Sequence, residues 1–360
     1  MTITTRAPGK LFIAGEYAVV DPDHPALLVA VDKFMTVSVT ESVDVGRVHS
    51  SEYGNLPIEW RRDPETGDVV VDHHPYDYVT RAIDVMERLR DERGIAPRYF
   101  NLHIESELDD SHGQKFGLGS SAAVVVATIA AIDTFYDLGL SAMERFKIAL
   151  LATISVSPRA SGGDIAASTF GGWLSYSAPD RAALLTALST DTIGDVMVGS
   201  GWETLRIRSL PAPALSLLVG WTGSPSSTEA LVGSVTKASP SDSPDYTAFV
   251  AASDRIVTAL IEALEAGDPA LVQDLVRQAR HNLLLLQASS GITIETEKLT
   301  FLCDSAEHYG GAAKPSGAGG GDCGIVLADP EMDTAALLEQ WRAAGIRPLD
   351  LHVYGKEVAA

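Results

Sequence analysis

Four short segments of this 360-residue chain carry side chains that could do chemistry. Lys10 follows Arg6-Ala7-Pro8-Gly9. Lys115-Phe116-Gly117-Leu118-Gly119-Ser120-Ser121-Ala122 is a glycine-serine loop that leads into a long apolar run. Asp164 lies among small residues, after Ser161-Gly162-Gly163. Ser316-Gly317-Ala318-Gly319-Gly320-Gly321-Asp322 is a second glycine-rich loop. A helix N-terminus presents unpaired backbone N–H groups and the positive end of a dipole, and glycines beside it let a phosphate approach the backbone. The 117–121 loop therefore reads as an anion seat for a nucleotide. Lys115 adds a mobile cation, and Ser120 and Ser121 can cap the helix or offer a hydroxyl to a metal ion. It is not a Walker A loop, because no Gly-Lys-Ser/Thr follows at the required spacing. The later loop leaves backbone N–H groups to form a nest. Each feature has a bland alternative: a serine-capped helix, a solvated lysine, an N-capping aspartate, a flexible turn. Their joint occurrence in one chain is what argues for a site.

Composition narrows the ligand. Forty-six per cent hydrophobic and 21% charged residues are ordinary for a globular chain, and the length suggests two domains. The formal net charge is −21 and the isoelectric point about 4.7, so nucleic acid and anionic membrane surfaces are repelled. An anionic substrate needs locally concentrated cations, which gives weight to each lysine near a glycine loop. The two cysteines, Cys303 and Cys323, show no metal-ligand or disulfide pattern. With no signal-peptide pattern and no membrane-length apolar run, the expected location is the cytoplasm.

The elements that must position these residues follow from periodicity and turn signals. Strands are expected over 10–14, 26–31, 34–40, 100–106, 173–176, 203–210, 215–221, 324–328 and 348–354. Helices are expected over 77–90, 122–135, 141–154, 181–188, 246–266, 269–288, 294–309 and 333–344. Residues 161–172 read as a small-residue loop, and Pro211-Ala212-Pro213 marks a boundary between domains at 1–210 and 211–360. The class is α+β.

Three ordered motifs carry a resemblance: Pro8-Gly9-Lys10 with Gly15-Glu16-Tyr17-Ala18-Val19, then 117–121, then 316–322. Together they resemble the GHMP kinases over essentially the whole chain. The resemblance implies a two-domain GHMP kinase fold, with an N-terminal ribosomal-protein-like α/β domain, a C-terminal ferredoxin-like domain and a cleft between them. It implies ATP and Mg2+ as cofactors. Gly15-Glu16-Tyr17, the 220–228 segment and Gly321-Asp322-Cys323-Gly324 look most like members whose acceptor is 5-phosphomevalonate. Mevalonate as acceptor, or a catalytically silent metabolite-binding relative, are the alternatives. A monomer or homodimer is expected, without nucleic-acid or membrane partners.

Roles are carried over by the same resemblance. Lys10 should lie between the γ-phosphate and the acceptor oxygen, and Asp164 should act as base or orienter. Lys115, Gly117, Leu118, Gly119, Ser120, Ser121, Ala122, Ser316, Gly317, Gly319 and Gly320 should hold the nucleotide, with Ser121 as magnesium ligand. Lys10, Tyr17, Ser161, Gly162, Ser224, Ser227, Gly319 and Asp322 should meet the acceptor, with Lys115, Arg159 and Lys314 as further cations. The adenine site is left open between residues 76–79 and elsewhere. One departure stands out. Mevalonate-kinase-type members carry a glutamate eleven residues before the aspartate as a second magnesium ligand, and here that residue is Thr153. Glu16 is a conceivable substitute, or else a turn-capping acid.

Overall fold

The computed structural model describes residues 2–50, 56–71, 77–110, 113–224, 228–238 and 243–355. The first half contains β1 (Thr2–Ala14), β2 (Pro25–Ser42), β3 (Gly46–Ser50), β4 (Ile58–Arg62), β5 (Val69–Val71), α1 (Tyr78–Glu92), β6 (Tyr99–Ser106), α2 (Ser120–Tyr136), α3 (Ala142–Val156), α4 (Gly163–Phe170), β7 (Trp173–Ser177), α5 (Arg181–Leu188), α6 (Ile193–Val198) and β8 (Arg206–Leu210). The second half contains β9 (Ser216–Trp221), α7 (Thr228–Ala238), α8 (Pro244–Ala266), α9 (Pro269–Ser290), α10 (Glu297–His308), β10 (Ala312–Pro315), β11 (Cys323–Ala328), α11 (Thr334–Ala343) and β12 (Arg347–Leu349).

The long strand β2 organises the first half. One edge pairs with β1 along most of its length; the other takes β7 near its start and β6 near its end. With β3, β4, β5 and β8 this makes an eight-stranded sheet. The register of β1 against β2 slips twice, between Pro8↔Phe34 and Gly9↔Val31 and again between Phe12↔Leu28 and Ala14↔Leu27; at the first slip Asp32 and Lys33 have no counterpart on β1. The two strands expected on either side of that dipeptide are therefore one strand with a bulge, a device that re-aims nearby side chains. Helix α2 is apolar on nearly every side because it is enclosed, packing on β1 and β2 and against α1, α3 and α4. Capping boxes start α1 (Asp77 with Thr80) and α3 (Ser141 with Glu144).

The second half is a four-stranded antiparallel sheet in the order β10-β11-β9-β12, the βαββαβ arrangement of a ferredoxin-like unit with extra helices after its first strand. The chain then returns to the first sheet. Asp32 N–H donates to His352 O at 2.9 Å, Tyr354 N–H to Ala30 O at 2.9 Å and Gly172 N–H to Tyr354 O at 2.7 Å. The final strand expected over 348–354 is thus split between two sheets.

Four further differences have local causes. Residues 163–170, expected as loop, form α4, because the flanking glycines act as caps: Gly162 is N-cap at φ 84° and Gly171 is C-cap. Helices α6 and α7 and strand β10 were not expected; all are short, and β10 has only Ala312-Ala313-Lys314-Pro315 to announce it. Among the described residues no helix is long and apolar enough to cross a membrane.

Buried charge fixes the segment that will support the second glycine loop. Arg280 of α9 donates to Glu295 (2.7 and 3.0 Å), Asp304 (2.6 Å) and Glu307 (2.9 Å). Gln287 Oε1 accepts the N–H groups of Ile294 and Glu295, each at 2.8 Å. Removing one partner of such a group strands a buried charge, at a cost of about 3–5 kcal/mol. Arg280→Met is accordingly expected to lower unfolding stability by that order, read by urea titration with far-ultraviolet circular dichroism. Arg277 is half-exposed and bonded to Asp274 and Gly311 O, and Arg277→Met lowers it less.

Candidate active site

Lys10 sits one residue past the bulge. Its backbone N–H donates to Leu118 O at 2.9 Å, and its Nζ lies 3.5 Å from Gly117 O. The side chain is only 9% exposed and passes Phe12, 5.5 Å from the ring centroid. Two glycines permit this approach. A Cβ on Gly9 would fall 2.8 Å from Leu108 Cδ2 and 3.1 Å from Leu118 O; a Cβ on Gly119 would fall 2.9 Å from Lys10 Cε. Helix α4 is tied to the same point, because Ser168 Oγ donates to Pro8 O at 2.8 Å.

The glycine loop ends in α2 with Gly119 as N-cap, left-handed at φ 80° and without a side-chain cap bond. The sequence reading allowed Ser120 or Ser121 to cap this helix; they are instead its first two residues. The N–H groups of Ser120, Ser121 and Ala122 belong to the unsatisfied first turn of the helix. A cavity beside it is lined by Lys115, Ser120, Ser121, Asp77, Tyr78 and Val79. Three of the four positions in the 76–79 segment thus reach the same hollow as the loop; Tyr76 lies outside the described residues.

Asp164 is the second residue of α4, not its cap, and its Oδ1 accepts the N–H of Ile165 at 3.0 Å. The dipole of α4 favours negative charge there. Tyr176 lies below: burial first, then the charge of Asp164, push its phenol well above the usual range, and it donates to Ser161 O at 2.6 Å. Arg159 is exposed, and its guanidinium reaches α7, where a Cβ on Gly233 would lie 3.4 Å away.

The 316–322 loop is wedged between the two halves. Ser316 Oγ accepts from Phe12 N–H at 2.9 Å and donates to Phe12 O at 3.0 Å. A Cβ on Gly319 would strike Ile294 O at 2.3 Å, and one on Gly321 would strike Ser224 O at 2.2 Å. Gly320 N–H donates to Ile294 O at 2.7 Å and Asp322 N–H to Ser224 O at 2.9 Å. The nest inferred from four glycines is therefore partly engaged in holding the loop. Asp322, itself left-handed at φ 50°, packs on Gly117, where a Cβ would lie 2.5 Å from its Cγ. Cys323 Sγ donates to Phe116 O at 3.0 Å, and Phe116 stacks edge-on against Trp221 with centroids 5.2 Å apart. The two glycine loops thus touch.

Three expectations need correction. Lys314 does not serve as a substrate cation: it is fully buried, ion-paired with Glu16, and donates to Pro315 O at 2.6 Å. Glu16 does not replace the carboxylate missing at Thr153, because it is 5% exposed and holds Lys314 and, at 3.4 Å, the N–H of Gly317. Tyr17 does not face the acceptor. It is 4% exposed, and its hydroxyl donates to Ala318 O at 2.5 Å. Its φ of 64° is a conformation that costs a bulky residue about 1–3 kcal/mol. The remaining acceptor candidates Ser161, Gly162 and Ser224 lie on the loops just described, and Ser227 lies outside the described residues. Sequence reasoning missed the supports: the bulge at Gly9, Ile294 with Gln287 and Arg280, and the Glu16–Lys314 pair. A lone lysine in the small-residue run 310–316 was the available signal for the last.

Comparison with known proteins identifies the class of this site. Residues 77–172 match the GHMP kinases N terminal domain and residues 260–347 the GHMP kinases C terminal domain. The chain belongs to the GHMP kinase family. It is 45% identical to a phosphomevalonate kinase from Streptomyces sp. strain CL190, over 97% of this chain and 96% of that one. A mevalonate kinase from Thermococcus sibiricus is 27% identical, over 93% and 92%. The Streptococcus pneumoniae phosphomevalonate kinase, solved in complex with phosphomevalonate and AMPPNP, superposes with a TM-score of 0.84 at 27% identity, covering 98% of this chain and all of that one.

Gly119→Ala places a methyl on Lys10 at a left-handed position. It is expected to weaken binding of a non-hydrolysable ATP analogue about 10–100-fold by calorimetry, the equivalent of about 1–3 kcal/mol of strain. Burial pushes the thiols of Cys303 and Cys323 far above their usual range, so both stay protonated at pH 8. Neither should react with a thiol reagent in the native protein, and both should react on unfolding.

Proposed function

We propose that this chain transfers the γ-phosphoryl group of ATP to the phosphate of (R)-5-phosphomevalonate, giving 5-diphosphomevalonate and ADP. The observation that carries the reading is the convergence of Lys10, the open N-terminus of α2 and the 316–322 loop at one point of the cleft. The near-full-length likeness to the Streptomyces relative supports the choice of acceptor. Phosphoryl transfer is catalysed mainly by positioning and charge neutralisation. The first turn of α2 receives the triphosphate, with Lys115 at its mouth, and the base lies in the cavity with Tyr78 and Val79. Lys10 stands where charge gathers between donor and acceptor oxygens. Backbone N–H groups of the 316–322 loop face the transferred group, and Ser161, Gly162, Ser224 and Arg159 meet the acceptor.

Magnesium fits this donor set only as a phosphate-borne ion. Among the described residues no cluster of three or more His, Cys, Asp or Glu side chains could hold a metal. The Ser121 hydroxyl is not used as a cap, and it can be one ligand beside phosphate oxygens and waters, which suits an ion that dehydrates reluctantly. The metal supplies neutralisation of phosphate charge. The cytoplasm, where ATP and a phosphate ester are at hand, is the compartment this chemistry requires.

The acceptor is itself a phosphate with a second pKa of about 6, so at neutral pH its attacking oxygen is already deprotonated. A strong base is unnecessary, and Asp164 orients rather than abstracts. Lys10→Ala should therefore lower kcat by about 10²–10³, and Asp164→Asn by less. The reverse order in a coupled ADP assay would refute this division of roles. Across a panel of mevalonate, 5-phosphomevalonate, homoserine and galactose, turnover is expected with 5-phosphomevalonate; turnover with another acceptor alone, or nucleotide binding without turnover, sinks the assignment.

A further inference from the structure

The Glu16–Lys314 pair joins residues 298 positions apart, one on the turn after β1 and one on β10, so it links the first half to the second. Both groups are buried. Lys314 is fully enclosed, and its second bond goes to Pro315 O. A buried pair of this kind is a poor source of stability, because desolvation offsets the attraction and well-packed apolar groups do as well or better. What an apolar pair cannot do is fix direction. Glu16 also accepts the N–H of Gly317, the first glycine of the loop. Its neighbour Tyr17 holds a strained backbone and donates to Ala318 O. Two residues before the turn's glycine, Ala14 and Ile13 lead back to Phe12, whose N–H and C=O are both taken by Ser316. Residues 314, 316, 317 and 318 are thus held by residue 12, on the strand that presents Lys10, and by residues 16 and 17 on the turn that follows it.

We infer that Glu16 and Lys314 are positioning residues that set the 316–321 loop in register with Lys10, so that the loop's donors meet the phosphoryl group in transit. The inference rests on the kinase reading above for its catalytic consequence. The nucleotide seat at 117–122 lies in the first half, and its contacts with the second half come through Asp322 and Cys323 rather than through the pair, whereas the register between β1 and the loop concerns the group being transferred. Loss of the pair should therefore act on kcat and leave nucleotide affinity nearly intact.

The test uses full-length Glu16→Gln, Lys314→Met and the double variant Glu16→Leu/Lys314→Met, compared by steady-state kinetics, thermal melting and amide hydrogen exchange over 314–322. Each single variant should lose about 10²-fold in kcat, the scale of a small misplacement, with KM for ATP nearly unchanged. The double variant should recover the melting temperature but not kcat. Exchange over 316–321 should rise in all three without any acceptor present. Recovery of kcat together with melting temperature would make the pair a packing element only. A raised KM for ATP at unchanged kcat would assign it to nucleotide binding, and unchanged exchange would remove the register role. If the unmodified protein turns over no acceptor, the functional reading fails while the exchange comparison still decides whether the pair holds the loop.

Discussion

How closely β1 can approach the 117–121 loop determines the rest of this site. The lysine must stand beside a helix N-terminus that itself attracts anions, and two positively biased groups do not gather without help. The backbone supplies it. Lys10 N–H is bonded to Leu118 O, the ammonium lies near Gly117 O, and the Asp32-Lys33 bulge of β2 twists the strand pair where both contacts form. Gly9 and Gly119 have no side chain because any Cβ there would occupy the space that Lys10 or Leu118 fills. The glycines are thus steric requirements of a lysine's placement as much as openings for phosphate.

The electrostatics follow from that placement. With a net charge of −21 the molecule as a whole repels ATP and phosphate esters alike. Attraction has to be local, and the structure sorts the basic residues into two kinds. Lys314, Arg280, Arg62 and Arg90 are held by carboxylates inside the protein and present no charge to a ligand. Lys10, Lys115 and Arg159 border the cleft. Partial charges at the first turns of α2 and α4 add to them without adding formal charge, and they keep their direction during the reaction. A site built this way needs few cations, which is compatible with so acidic a chain.

Legibility in the sequence follows the same division. The anion seat was readable because a helix N-terminus and its glycines are adjacent in the chain, and α2, α8 and α9 were readable because their periodic runs are long. Lys10 and Asp164 were placed through a resemblance, not through spacing. The failures at Tyr17 and Lys314 share one cause, which is contact between residues far apart. Tyr17 enters the acceptor set only through the family resemblance; its hydroxyl is taken by a carbonyl 301 positions away. Lys314 looked like a phosphate cation because it precedes a glycine loop; its partner is 298 positions away. Residues 161–172 read as loop from their small side chains, and the glycines at 162 and 171 are instead the caps of a helix.

The third motif shows why glycine content alone overstates a nest. Of the loop's donors, those of Ser316, Gly317, Gly320 and Asp322 are bonded to Cys323, Glu16, Ile294 and Ser224. A loop that must offer a few N–H groups to a transient, highly charged species cannot also be free to move, since disorder would be lost at the moment of reaction and would raise the barrier. The glycines at 319 and 321 therefore have two tasks. They allow the backbone to press against Ile294 and Ser224, and that pressure, with the clasp of β1 on the other side, holds the remaining donors still. Rigidity here comes from backbone contact with Ile294 and Ser224 on one side and bonds from residues 12, 16 and 17 on the other, so the cleft and the fold that bounds it cannot be varied separately.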